Sequence, residues 1–269
     1  METLEILGYA SAILMGLSLG LIGGGGSILT VPILVYLLGV DTETSTAYSL
    51  FIVGLTSLFG SFSHMRMGNI HWKTAVIFGI PAIISVYLTR HYVVPAIPNE
   101  IFKTGDFILN KDIALLLFFA IIMVLASYSM IKKKKGEVKT EESEIQYNFP
   151  LIGVEGLVVG LVTGLVGAGG GFLIIPALVL LAKLPMKQAV GTSLIIIASK
   201  SLLGFLGDLG VGREIDWILL LIFSCIAIIG IFIGAALSKK ISGSKLKPAF
   251  GWFVLIMGIY IIFNSLMQQ

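Results

Sequence analysis

The stretch GLSLGLIGGGGSILTVPILVYLL, Gly16–Leu38, occurs a second time as GLVTGLVGAGGGFLIIPALVLLA, Gly160–Ala182. Setting each residue beside the one 144 positions later needs no gap between Gly16 and Gly68. Gly16, Gly20, Gly23, Gly25, Gly26, Pro32, Ser49, Ser57 and Gly60 all meet identical residues. The chain reads as a duplication centred on a glycine run followed by a proline.

The sequence around both copies decides the class. The chain is 57% hydrophobic and only 12% charged, with a mean hydropathy of +1.01. That is more apolar surface than one water-soluble core of 269 residues can absorb, so it reads as an integral membrane protein. A single cysteine, Cys225, excludes an intramolecular disulfide. Glu2 and Glu5 precede the first apolar run where a signal peptide would be basic, so that run reads as a permanent span.

Ten apolar segments of helical length follow, at Leu4–Ile22, Ile28–Val40, Thr46–Phe62, Trp72–Leu88, Ile113–Ile131, Leu151–Val166, Phe172–Leu184, Ala189–Leu206, Trp217–Leu237 and Ala249–Leu266. A span across ~30 Å of hydrocarbon needs ~20 residues, so the segments after each glycine run are short and suit half-helices. Lys132–Lys135 with Lys139, and Lys239, Lys240, Lys245 and Lys247, mark two cytoplasmic loops. Counting outward from them places Arg66, Lys73, Lys183 and Lys187 inside and both termini outside. Five segments per half then require inverted repeats. Counting each glycine-interrupted unit as one crossing gives parallel halves instead, and places Lys183 and Lys187 outside, against the charge rule. The expected fold is all-α, with two homologous inverted repeats, each a glycine-interrupted helical hairpin plus three spanning helices. The repeats cover 1–131 and 151–269, joined by a charged cytoplasmic linker at 132–150. The loop from Arg90 to Asp112 carries Pro95 and Pro98 and has room for a short external element.

Such duplicated, interrupted segments point to a transporter with its site at the midplane. Gly23, Gly24, Gly25 and Gly26, and their partners Gly167, Gly169, Gly170 and Gly171, leave backbone amides bare at the start of a helix. Irregular backbone at that depth is tolerated only where protein buries it or a cavity is lined by it. Free amides and the positive end of the helix dipole attract anions. Close helix packing accounts for Gly8, Gly16, Gly20, Gly156, Gly160 and Gly164, spaced by four or eight. It accounts poorly for three or four glycines in a row, which weaken a continuous helix.

In GTSLIIIASKS, Thr192, Ser193, Ser199 and Lys200 fall within a third of the helix circumference. Lys200 lies near the bilayer middle, where an ammonium costs at least ~2.5–3.5 kcal/mol unless compensated. No acid lies within a turn of it. The first half offers Ser49 and, at the place of Lys200, Thr56. These residues, with Ser27, form the expected anion site. Glu155, near the start of its span, is a candidate for proton coupling or an ordinary interfacial acid. His64, Arg66, Asn69 and Lys73 fall in an expected cytoplasmic loop. His64, His71 and His91 lack metal-ligand spacing, and neither glycine run continues into GK[ST]. No enzyme, metal, cofactor or nucleic-acid reading competes.

The pair GLIGGGGSILTVPIL and GLVGAGGGFLIIPAL, the following AVGTSL and the loop HMRMGNIHW resemble the TauE/SafE sulfite exporter family over nearly the whole chain. That resemblance implies a small multispanning permease of the cytoplasmic membrane, moving sulfite, sulfonates or related organosulfur anions. Composition and resemblance thus converge on a secondary anion transporter working by alternating access. Its expected partners are the small anion and the lipid bilayer, with homo-oligomerisation left open. A passive anion channel and a nontransporting membrane scaffold are the competing classes.

Overall fold

A computed structural model describes residues 2–24, 26–104, 107–131, 149–167, 170–180, 182–210, 215–238, 240 and 243–267. The first half contains α1 (Glu2–Ile22), α2 (Ser27–Tyr36), α3 (Thr42–Arg66) and α4 (Trp72–Leu88). A π-helical turn (Thr89–Val93) then leads into α5 (Val94–Ala96), the hairpin β1 (Glu100–Thr104) and β2 (Phe107–Asn110), and α6 (Lys111–Ile131). The second half contains α7 (Phe149–Val166), α8 (Gly171–Leu180), α9 (Met186–Leu209), α10 (Trp217–Ser238) and α11 (Gly243–Met267).

The short helices are short for a visible reason. α2 and α8 have 10 residues each, a rise of ~15 Å, about half of a hydrocarbon core. Pro32 and Pro176, each at the sixth position, remove one intrahelical bond apiece. The long helices carry their own start signals. Asp41 accepts from the Thr44 N–H at 2.8 Å to begin α3, and the His71 ring accepts from the Thr74 N–H at 3.3 Å to begin α4. Burial, reinforced by Lys73, holds His71 below the usual histidine range, which keeps the accepting neutral ring.

Several boundaries differ from those read in the sequence. The fourth span does not stop at Leu88. The chain stays helical to Ala96 through the π turn, because Pro95 cannot donate and one wider turn, with the Val94 N–H on the Thr89 carbonyl, accommodates it. Arg90 therefore lies inside the helical body rather than in a loop, and the short element expected in this segment is the β1–β2 hairpin. α3 continues through His64 and Arg66, so His64 is a buried helical residue and not part of a loop. α9 likewise runs on to Leu209, taking Asp208 into the core. The charged linker, apart from its last two residues, and its lysine run fall outside the described residues, as do Gly25 and Gly169.

Packing follows the small residues. α1 lies on α10, where a Cβ on Gly16 or Gly20 would strike the Ala227 or Ile231 carbonyl. α7 lies on α4, where a Cβ on Gly160 would come 2.5 Å from the Ala82 carbonyl oxygen. α6 lies on α11, and α3 and α9 pack on each other at the centre, flanked by α10 and α4 respectively. One end of the molecule gathers the starts of α3, α6 and α10 with the ends of α4, α7 and α9. There Lys111 pairs with Glu43 at 3.0 Å, the Asp216 N–H donates to the Tyr48 hydroxyl at 2.6 Å, and Arg90 meets Asp208. At the other end the starts of α4 and α9 meet, where the His71 N–H donates to Thr192 at 2.9 Å.

The outer helices present apolar side chains outward, with Ile6 66%, Leu125 67% and Ile218 73% exposed. Such a continuous apolar belt suits lipid rather than water. Among the described residues five helical stretches, Leu4–Ile22, Thr42–Arg66, Trp72–Ala96, Met186–Leu209 and Trp217–Ser238, are long and apolar enough to cross a membrane.

Candidate functional site

Both glycine turns begin with the same backbone device. α1 ends where the Gly23 N–H donates to the Leu19 carbonyl at 2.7 Å, and α7 ends where the Gly167 N–H donates to the Thr163 carbonyl at 2.9 Å. Gly23 has φ +80° and Gly167 has φ +69°, the left-handed conformation that only glycine adopts without strain. Each then lies against a central helix. A Cβ on Gly23 would come 2.8 Å from the Val190 Cα, and one on Gly167 would collide with Thr46. Val190 and Thr46 are themselves 144 positions apart.

The two turns meet. A Cβ on Gly24 would collide with the Gly171 backbone, and one on Gly171 with Gly24. α2 starts from Gly26 with no side-chain cap, so its first amides remain available to an acceptor. Bare backbone from both halves is thus brought together at the middle of the molecule.

Lys200 projects into this region from α9. It is fully buried, and its Nζ donates to the Thr163 hydroxyl at 2.8 Å. A Cβ on Gly170 would lie 2.9 Å from that Nζ. Among the described residues no carboxylate lies within ion-pair distance of Lys200. Thr163 in turn donates to the Gly160 carbonyl at 3.2 Å, so its remaining lone pair faces the ammonium. The arrangement is a dry cation at the lip of the second glycine turn, with a neutral hydroxyl where a counter-ion would be expected.

The other candidate residues divide. Ser49 and Thr56 on α3 are fully buried, and neither hydroxyl has a hydrogen-bond partner among the described residues. Ser27 donates to the Gly24 carbonyl at 2.7 Å. Ser193 donates to the Val190 carbonyl at 2.8 Å and the Gly23 carbonyl at 3.1 Å, so these two serines brace the first turn. Thr192 accepts from the His71 N–H and holds the α3–α4 connection. Ser199 is exposed on the outer side of α9 and takes no place beside Lys200. Glu155 is half-buried on α7, with Oε1 lacking a hydrogen-bond partner.

Three residues of this region escaped the sequence reading. Thr163 occupies the position where the first copy has Leu19, and that polar departure from the repeat was the available signal. Arg90 and Asp208 form a buried pair, with Nε on Oδ2 at 2.8 Å and Nη2 on Oδ1 at 2.5 Å. Arg90 also donates to the Thr46 hydroxyl at 2.9 Å and the Gly164 carbonyl at 3.3 Å. At the same end a cavity of about 450 Å³ is lined by Asp41, Thr44, Tyr48 and Asp216. Its carboxylates make it unsuitable for an anion.

The sulfite exporter TauE/SafE family matches this chain over residues 9–261. The chain belongs to that family. Curated relatives extend over the same length. A probable membrane transporter protein of Xylella fastidiosa strain Temecula1 is 29% identical, covering 97% of this chain and 95% of its own. One from Methanocaldococcus jannaschii is 29% identical, covering 93% and 94%. The probable membrane transporter protein YunE of Bacillus subtilis is 25% identical, covering 97% and 99%. No solved structure matches the chain. The TauE/SafE family member described here is therefore a multi-pass membrane transporter and not an enzyme.

Proposed function

We propose that this transporter carries a small sulfur oxyanion, sulfite or an organosulfonate, by alternating access, through a site formed by both glycine turns and Lys200. The observation that carries the reading is Lys200 itself, fully buried, bonded to a neutral hydroxyl and facing bare glycine backbone. A cation so placed is costly without an anion, and a tetrahedral or pyramidal oxyanion could accept from the ammonium, from backbone amides at the starts of α2 and α8, and from Ser49 and Thr56. The family's description as sulfite exporters supports the substrate class.

We infer that the halves, 1–131 and 151–269, are inverted repeats joined by a cytoplasmic linker. α1 on α10 and α7 on α4 are pairs that exchange when the halves are swapped, as are α3 on α10 and α9 on α4. The start of α3 lies by the end of α9, so corresponding helices run oppositely. Rocking of one half against the other about the α3–α9 contact would open the central site to each side in turn. The positive loops orient the chain in the cytoplasmic membrane with both termini outside. Export is then the favoured direction, since each monovalent anion expelled gains ~2.3 kcal/mol per 100 mV of inside-negative potential. Glu155 is the candidate carrier for a coupled proton.

Uptake of sulfite, sulfate, thiosulfate and taurine into proteoliposomes, with imposed pH gradient or potential, tests this. Saturable movement of a sulfur oxyanion is expected. Unsaturable conductance would assign a channel, and no movement of any anion by correctly inserted protein would overturn the substrate class.

A further inference from the structure

Two buried cations reach the segment that carries the second glycine turn, and among the described residues only Arg90 has a counter-ion. Lys200 donates to Thr163, and Arg90 donates to the carbonyl of the next residue, Gly164. Gly167, which begins the turn, rests on Thr46, the same residue that accepts from Arg90. Gly170, which closes it, rests on Thr163 with the Lys200 Nζ just beyond. The end of α7 and the turn that follows are thus within reach of both Lys200 and Arg90. Among the described residues no cation flanks the first turn in this way, where Gly23 meets Val190 and Ser193, and Gly26 meets Met15 and Leu19.

Arg90 and Asp208 also bridge the halves. Arg90 and Thr46 come from the first half, and Gly164 and Asp208 from the second. Both side chains are buried at this end of the molecule. The position 144 before Asp208 is His64, which makes no ion pair among the described residues. The pair is therefore one-sided. Opening this end by separating the halves must pull Arg90 from Asp208, leaving a guanidinium with five donors beside the route from Lys200.

Resting on the anion-carrier reading, we propose that Arg90 is a second anion-binding position on the route out of the central site. Asp208 serves as its counter-ion while this end is closed. The passing oxyanion takes the place of the Asp208 carboxylate on the Arg90 fork, a bidentate geometry common to carboxylates and sulfur oxyanions. The closed pair then re-forms behind it.

Asp208→Asn, Arg90→Gln and the neutral double variant test this, read by sulfite flux in proteoliposomes and by unfolding temperature in sulfite or sulfate. Asp208→Asn frees Arg90 from its competitor, so its half-saturating sulfite concentration should fall about tenfold. Either anion should also raise its unfolding temperature more than that of the parent protein. Arg90→Gln should shift half-saturation the opposite way. The double variant removes both charges and leaves no buried charge unpaired, so it folds even where Asp208→Asn does not. It should lose at least about tenfold in flux at low sulfite.

A pair that only holds helices together gives a different pattern. Both single variants then lose flux alike, anions do not stabilise Asp208→Asn, and the double variant transports like the parent; any of these results overturns the proposal. If the parent protein moves no anion at all, the carrier reading fails. The anion-dependent stability of Asp208→Asn, or of the parent against the double variant, still reports on Arg90 independently.

Discussion

Replacing Lys200 with Met separates a site residue from a structural one, because the two roles predict opposite signs. The side chain is fully buried, and its described partner is the neutral Thr163 hydroxyl. An ammonium at mid-membrane costs at least ~2.5–3.5 kcal/mol, and one neutral hydrogen bond offsets ~1 kcal/mol of that. Methionine fills nearly the same volume without the charge, so Lys200→Met should be more stable by about 1.5–2.5 kcal/mol. The same change removes a charge-assisted contact to the anion, typically ~1.5–3 kcal/mol. Half-saturation should therefore rise about ten- to a hundredfold. Unfolding in detergent, with and without sulfite, and sulfite flux in proteoliposomes read both numbers. A variant that is less stable than the parent and transports with unchanged half-saturation refutes the reasoning.

Thr163→Val removes the acceptor of Lys200 and should cost about 1–3 kcal/mol of stability; adding Lys200→Met should restore it, as a double-mutant cycle of unfolding energies would show. Gly171→Ala places a methyl against the Gly24 backbone, which cannot move aside as a side chain can, so sulfite flux should be lost. Gly153→Ala meets nothing within 4 Å and should transport normally, with stability raised by up to ~1 kcal/mol. His71 is held below its ordinary value by burial and by Lys73, so the unfolded chain binds its proton first as pH falls. Its stabilising contribution is complete above about pH 6.5 and declines below that, and unfolding measured from pH 8 to 5 should lose part of its slope in His71→Asn.

The glycine turns were legible because a duplicated chain reports its own alignment. Gly23 and Gly167 stand at matching positions and adopt the same left-handed turn. Lys200 was legible because an ammonium deep in an apolar span has no cheap explanation. Arg90 and Asp208 were not, since each sits just past the last apolar residue of its span and reads alone as the start of a polar loop. Their pairing spans 118 residues, a contact no local pattern encodes, and the π turn that carries Arg90 inward depends on Pro95. Ser199 shows the converse error. A helical wheel places it with Lys200, but burial depends on which neighbour covers each level of the helix, and that is a tertiary fact.

The most direct test of the central claim is to locate the anion. Selenite keeps the charge and pyramidal shape of sulfite and can be found by its anomalous scattering in crystals of the protein. The account predicts a selenium peak within about 4 Å of the Lys200 Nζ, one Se–O bond beyond a hydrogen-bonded oxygen, between the Gly23–Gly26 and Gly167–Gly171 turns, and its disappearance in Lys200→Met. A peak elsewhere, or an empty centre at concentrations that saturate transport, would contradict it.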